Sequence, residues 1–248
     1  MNTAEYERMY AAEDRQWWYA GMRAIGFGLL DQALRVRRGQ ARPAPRFLDA
    51  GCGTGLNLEH LAERGQAVGV DLSADAVRFC LSRGVAVVRG SVLSLPFAEA
   101  TFDGLVSFDV LYHVWVTDDR AAVGELARVL RPEALLLVRV PALKVLWGAH
   151  DEAVHSRHRY TKGELRALLE AAGLEVLRLS YCNSILFPLL LVRRTLDRLA
   201  SRHGSDVEFL PSPLEWMFRH FLLVEAALIR YGLSLPVGAS VVALARKR

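Results

Sequence analysis

The sequence predicts an α/β protein built on a doubly wound, mostly parallel sheet of seven strands, with a helical cover at the N-terminus and a helical insertion before the last strand. Three observations carry that reading. Short apolar runs alternate with helix-periodic segments between residues 45 and 182. One run, 135–140, is nearly all apolar, as a strand covered on both faces must be. The first run ends in three alternate glycines, Gly51, Gly53 and Gly55, followed directly by helical spacing.

Taken in order, residues 1–16 are polar and mixed in charge, and 17–36 place Trp18, Met22, Ile25, Leu29, Ala33 and Val36 at steps of three or four, an amphipathic helix. Residues 39–45, rich in Gly, Pro and Arg, read as a linker. Strands are expected at 47–49, 67–70, 85–89, 102–108, 135–140, 174–181 and 237–245. Between them, Leu58, Leu61 and Ala62 mark one helix with Gly65 beyond its end, and Ser73 caps a second that stops at Gly84. A third runs over 118–130 and stops before Pro132. Thr161 and Glu164 form a capping box for a fourth, which ends at Gly173. Residues 183–235 leave the alternation: two apolar helices, 188–199 and 214–231, flank a polar loop. The chain therefore divides into a helical cover (1–40), a ligand-binding core (41–182), a helical cap (183–235) and a last strand (236–248) within one domain.

Composition sets limits. With 52% apolar and 23% charged residues, 248 residues can bury one sizeable core. A net charge of +4 is too small to argue for nucleic acid, and the basic tail Arg246-Lys247-Arg248 reads as a solvated end. Cys52, Cys80 and Cys182 are sparse and odd in number, which suggests reduced thiols and a cytoplasmic setting. There is no apolar signal core at the start, and no apolar run reaches the roughly 18 residues that span a bilayer.

Right-handed crossovers put the C-terminal ends of the parallel strands along one edge, where open α/β sheets bind ligands. Asp49, Asp71, Gly90, Asp109 and Pro141 all fall there. The glycines let a ligand approach bare main chain, and the helix behind them offers free N–H groups to an anion. A dinucleotide turn would need glycine where Leu56 stands.

Several stretches then agree. Asp49-x-Gly-x-Gly-x-Gly55, Asp71 sixteen residues on, Leu95-Pro96-Phe97 before Thr101-Phe102-Asp103, and Glu125 to Pro132 before the fifth strand together resemble the class I S-adenosylmethionine-dependent methyltransferases over residues 45–182. The resemblance implies a Rossmann-like methyltransferase fold and S-adenosylmethionine as cofactor, with S-adenosylhomocysteine as product. It implies that Asp49, Gly51, Cys52, Gly53 and Gly55 hold the methionine part, Asp71 the ribose and Leu72 the adenine face. Ser91 and Val92 would lie at the adenine edge and Phe108 against the sulfonium, with an N-terminal helix bringing Trp17 and Arg23 over the cofactor and Arg23 onto its carboxylate.

The stretch His150 to Tyr160 after the fifth strand resembles a His-Asp…His-x-Arg-Arg-Tyr segment of a bacterial subset, with His158 where Arg is expected. It sits over the sheet edge by the acceptor pocket. His150, His155 and Tyr160, with His113 after the fourth strand, are the candidates for acceptor positioning or proton removal, because an imidazole titrates near neutral pH. No metal site is expected from them, since Cys and an i,i+4 His pair are both missing. The apolar helix around Trp216, Met217, Phe218, Phe221 and Leu222 would be buried, paired in a homodimer, or set against a lipid-like acceptor, with weak membrane contact through 187–191 as a further option.

The expected partner is a small-molecule acceptor and not nucleic acid. After the fourth strand Asp109-Val-Leu-Tyr112 lacks the prolines of an Asn/Asp-Pro-Pro-Tyr stretch, and no basic stripe interleaves with aromatics. Two rivals are a nicotinamide oxidoreductase, disfavoured by Leu56, and a scaffold that keeps the cofactor fold without turnover.

Overall fold

A computed structural model of the chain describes residues 3–36, 44–199 and 210–248. Most of the expected linker at 39–45, and the loop between the two helices of the insertion, lie outside these residues.

Seven strands form one sheet: β1 (Arg46–Ala50), β2 (Gln66–Asp71), β3 (Val87–Arg89), β4 (Phe102–Phe108), β5 (Leu130–Pro141), β6 (Leu174–Cys182) and β7 (Ser240–Lys247). Their order is β3-β2-β1-β4-β5-β7-β6. The first five pair in parallel, and β7 inserts antiparallel between β5 and β6. The mostly parallel sheet is the one expected from the strand–helix alternation.

The helices are α1 (Thr3–Ala12), α2 (Trp17–Val36), α3 (Leu56–Ala62), α4 (Ala74–Ser82), α5 (Asp119–Val129), α6 (Ala149–Ala153), α7 (Lys162–Ala171), α8 (Phe187–Leu199) and α9 (Ser212–Arg230). Their starts follow the capping chemistry of the sequence. Ser73 accepts from Asp75 N, Asp118 from Arg120 N and Ala121 N, and Thr161 and Glu164 bond reciprocally. Two apolar layers flank the sheet. One joins α5 and α7 to it through Val123, Leu126, Leu165 and Leu169, and the other joins α2 and α9 through Met22, Ile25, Leu222 and Ile229. α9 approaches α2 closely because residue 21 is glycine: a Cβ there would overlap Leu222.

Three features differ from the sequence reading. Residues 3–12, read only as polar, form α1. Its helix is weakly patterned and gains its stability from the element it lies against: Tyr10 packs on Phe79 with tilted rings, centroids 4.9 Å apart, and Thr3 donates to Asp75 at 2.6 Å. The fifth strand begins at Leu130, directly after α5, and passes through Pro132 at a register shift, where the missing N–H is not needed. Glu133 there takes a φ of 67°, a conformation in which glycine is usual. Finally, the insertion does not act as one cap. α8 lies over the sheet edge, whereas α9 packs behind it on α2, tied by Glu215 accepting from Trp17 N at 2.8 Å.

Candidate functional site

A cavity of about 560 Å³ lies over the C-terminal ends of β1, β2, β4 and β5, roofed by α1, the start of α2 and α8. It has two halves.

The first half is built on the turn between β1 and α3. Gly51 and Gly53 have φ of 86° and 54°, and a Cβ on Gly51 would overlap Val110, so only glycine leaves this wall open. Gly51, Cys52, Gly53 and Thr54 line the cavity, as does Asn57 on the first turn of α3. Opposite, at the end of β2, Asp71 accepts from Gly53 N at 2.9 Å and from Ser73 N at 2.9 Å. Each oxygen keeps lone pairs for a further donor. Burial holds its carboxyl above the usual range. Leu72, 48% exposed, supplies a flat apolar surface beside it, and Ser91 and Val92 close the far edge. Tyr6 and Met9 of α1 form the roof.

Two residues expected here stand behind the wall. Gly55, with φ 89°, is the N-cap of α3. Asp49, the fourth residue of β1, is 1% exposed, and its Oδ2 is buried without a hydrogen-bond partner. Burial lifts its pKa to about 8. A lone buried carboxylate is costly, and it makes the turn receptive to a cation. The Cys52 thiol lies 3.7 Å from that of Cys80, and this contact and burial push it far up, so it is no nucleophile.

The second half lies between the ends of β4 and β5, α6 and α8. Phe108 ends β4 and faces the cavity. Asp109 follows in a left-handed conformation, φ 56°, and holds Arg139 of β5 through Nε at 2.9 Å and through Nη2. Arg139 also stacks over Phe108 at 4.8 Å and Trp18 at 5.1 Å. Trp17 and Arg23 of α2 line the cavity, and Arg23 Nη1 donates to Glu13 O at 2.7 Å. Glu13 itself is buried and accepts from Thr54 and Arg83, which ties the end of α1 to the glycine turn.

Of the four polar candidates, the structure brings two to the cavity. His113 Nδ1 lies 2.9 Å from Val154 O. A carbonyl only accepts, so Nδ1 carries the proton and Nε2 keeps a lone pair. Burial lowers its pKa to about 4. His150 lines the same half, and its Nδ1 is buried without a hydrogen-bond partner. The other two correct the sequence reading. His155 is exposed, turned out by its left-handed backbone (φ 55°) onto the rim residue Trp115, at 5.8 Å between rings. Tyr160 is buried under the edge, where its hydroxyl bonds Leu111 O at 3.1 Å and Asp119 at 2.8 Å, a structural tie. Among the described residues no three His, Cys, Asp or Glu are grouped to hold a metal ion.

Sequence reasoning passed over Glu13, Arg139, Arg194 and Asn183, all in the cavity wall. Arg139 carried a signal: a lone charge inside an apolar central strand has to be paired or functional. Asn183 and Arg194 carried none, because only the fold brings the end of β6 and α8 here.

Residues 48–138 match the family model described as a methyltransferase domain. A probable S-adenosylmethionine-dependent methyltransferase of Mycobacterium tuberculosis is 32% identical over 176 residues, covering 67% of this chain and 61% of that protein. One of Mycolicibacterium smegmatis is 34% identical over 134 residues, covering 52% and 51%. The chain thus spans about half to three fifths of the length of these curated relatives. Other relatives are named as sterol or tRNA methyltransferases. Among solved structures, a Haloferax volcanii methyltransferase in complex with the Trm112 methyltransferase activator superimposes with a TM-score of 0.59 at 18% identity, covering 98% of this chain and 97% of that one. At that identity the likeness shows the fold. The matched model spans the glycine turn and the carboxylate-tipped β2 that wall the first half of the cavity, and the chain belongs to the class I S-adenosylmethionine-dependent methyltransferase family.

Proposed function

We propose that the chain moves a methyl group from S-adenosylmethionine to a small-molecule acceptor held in the second half of the cavity. One observation carries this: a single cavity joins the glycine turn and Asp71 to a half lined by Phe108, His113 and His150. The chain fits the cofactor in three ways. The wall at Gly51 is open where a Cβ would fill it, Asp71 presents two oxygens, and Asp49 leaves a buried oxygen unanswered beneath the turn.

S-adenosylmethionine supplies a methyl group already activated by its sulfonium. The protein's own work is then to bind, orient and exclude water. Asp71 accepts from the ribose hydroxyls, Leu72 covers the adenine face, and the N–H groups of the glycine turn, with Arg23, face the methionine end. Phe108 and the Arg139–Asp109 pair keep the junction of the halves dry. His113 Nε2 accepts from the acceptor's hydroxyl or amine and aims its lone pair; with a pKa of about 4 it orients more than it deprotonates. The acceptor reading is for a small molecule because Leu190, Arg193 and Arg194 of α8 line the second half within the same cavity of about 560 Å³, a volume that suits a small ligand.

The test is calorimetry of ligand-stripped protein with S-adenosylhomocysteine, followed by a screen of small acceptors for its release. Saturable binding and acceptor-dependent release are expected. Absence of any binding overturns the proposal. Binding with release only on tRNA or another polymer overturns its small-molecule part.

A further inference from the structure

The second half of the cavity is rich in donors and poor in acceptors. Arg139, Arg159, Arg193 and Arg194 all contribute to its wall. Arg159 is held by Asp151 at 2.8 and 3.0 Å and by Ala142 O at 3.0 Å, Arg139 by Asp109, and Arg193 by Asp197 at 3.7 Å. A guanidinium has five N–H donors, so one that already holds a carboxylate keeps donors for a second anion. Arg194 is nine-tenths buried. Its guanidinium runs past Gly148, where a Cβ would lie 3.1 Å from Nη1 and 3.3 Å from Cζ. A side chain at 148 would therefore press on the arginine and require it to give by a few tenths of an ångström. Two residues on, His150 presents the buried Nδ1 that no protein group answers, and across from it Asn183 has a buried Oδ1 in the same position. Asn183 also adopts a left-handed φ of 55° at the end of β6, strain that a polar residue tolerates best. Both residues line the cavity, and a buried polar atom that no protein group answers calls for a partner from outside the protein. Apolar side chains, Leu146, Val154 and Leu190, fill the rest of this half.

We propose that the acceptor is an organic oxyanion with an apolar body, held by its carboxylate or phosphate oxygens against Arg194, Arg159 and His150. This rests on the methyltransferase reading above and names the substrate class of that site. The acidic wall residues do not contradict it. Asp109 and Asp151 are each occupied by an arginine, while Glu5, Glu13 and Asp71 belong to the cofactor half.

The experiment uses the full chain with S-adenosylhomocysteine present and four probes of one tail length: octanoate, octyl phosphate, octyl glucoside and octyltrimethylammonium. Calorimetry should show saturable binding of one or both anions, at least tenfold tighter than the neutral or cationic probe. The preferred anion distinguishes a carboxylate from a phosphate acceptor. Arg194→Gln and His150→Gln should each weaken that anion tenfold or more, with Arg194→Lys restoring part of it, while S-adenosylhomocysteine affinity stays unchanged. That last measurement also shows each variant folded, and His150→Gln serves if the arginine variant does not fold. Equal binding of all four probes, anion binding indifferent to both substitutions, or displacement of the anion by S-adenosylhomocysteine would overturn the inference. If S-adenosylhomocysteine itself fails to bind, the methyltransferase reading falls instead.

Discussion

Asp49 gives a prediction whose size follows from its surroundings. Its pKa stands at about 8 in the fold, against about 3.9 for an exposed aspartate, because burial disfavours the charged form. A raised carboxyl pKa means that the group costs nothing below the unfolded value, where both states are protonated. As pH rises from about 4 to 8 the unfolded chain ionises and the fold does not, so stability is lost at about 1.4 kcal/mol per unit. At pH 7 that amounts to roughly 4 kcal/mol as a ceiling. Asp49→Asn removes this term, and its buried amide without partners gives back about 1–3 kcal/mol. The variant should therefore be more stable than the parent at pH 7, by roughly 1–3 kcal/mol, and the gap should close toward pH 4. For a chain of this size about 1 kcal/mol is roughly 2–4 °C in Tm.

The same residue should report on the cofactor. A positive charge entering the turn, felt over several ångströms at an effective dielectric near 20, lowers the Asp49 pKa by on the order of two units. Binding at pH 7 should then release most of one proton, and Asp49→Asn should bind S-adenosylmethionine about tenfold or more weakly without that release. Calorimetry in two buffers of different ionisation enthalpy counts the protons, and the difference between the proteins isolates Asp49. A stability gap that does not change with pH, or equal proton release in both proteins, refutes the reasoning.

Gly51→Ala should lose S-adenosylhomocysteine binding by at least tenfold in calorimetry, since its Cβ would overlap Val110 at a φ of 86° and force the turn to move. His113→Asn should lower kcat with cofactor affinity unchanged, while the exposed His155→Ala should change neither. Because the His113 imidazole stays neutral down to about pH 4, kcat at saturating cofactor should hold to about pH 5, and an acid limb near 6.5 that vanishes in His113→Asn would contradict the assigned environment. Glu225 is fully buried and accepts from Ser184 N and Ile185 N, both at 2.7 Å, fixing α9 to the start of α8. Glu225→Ala should cost roughly 1–3 kcal/mol in chemical unfolding because two part-buried amides lose their acceptor, and Glu225→Gln clearly less.

The sheet and the cofactor half were legible because local chemistry encodes them. A strand that carries Asp49 near its end and meets three alternate glycines has few other conformations, and Ser73 and Thr161 announce their helices by capping. The register of β7 was less legible. An apolar strand at the end of the chain fits several positions, and only its antiparallel pairing on both β5 and β6 selects one. α1 was illegible for a different reason: its stability comes from Phe79, Asp75 and the glycine turn, all more than 40 residues away, and no window of sequence contains them. His155 and Tyr160 misled because proximity along the chain to His150 does not survive the turn after α6, which sends one outward and the other under the edge.

The acceptor half shows why specificity is harder to read than cofactor use. Its wall draws His113 from the loop after β4, Arg139 from β5, His150 from α6, Asn183 from the end of β6 and Arg194 from α8. Each is unremarkable alone: an Arg on a helix reads as solvated, and an Asn after a strand reads as a turn. Two of the positions that shape this half, Asp109 and Asn183, hold left-handed backbones without being glycine. A glycine would relieve that strain but lose the Arg139 partner in one case and an orphaned amide in the other. Strain kept at a side chain that faces a cavity, where a cheaper residue exists, argues that the side chain is there for what enters the cavity.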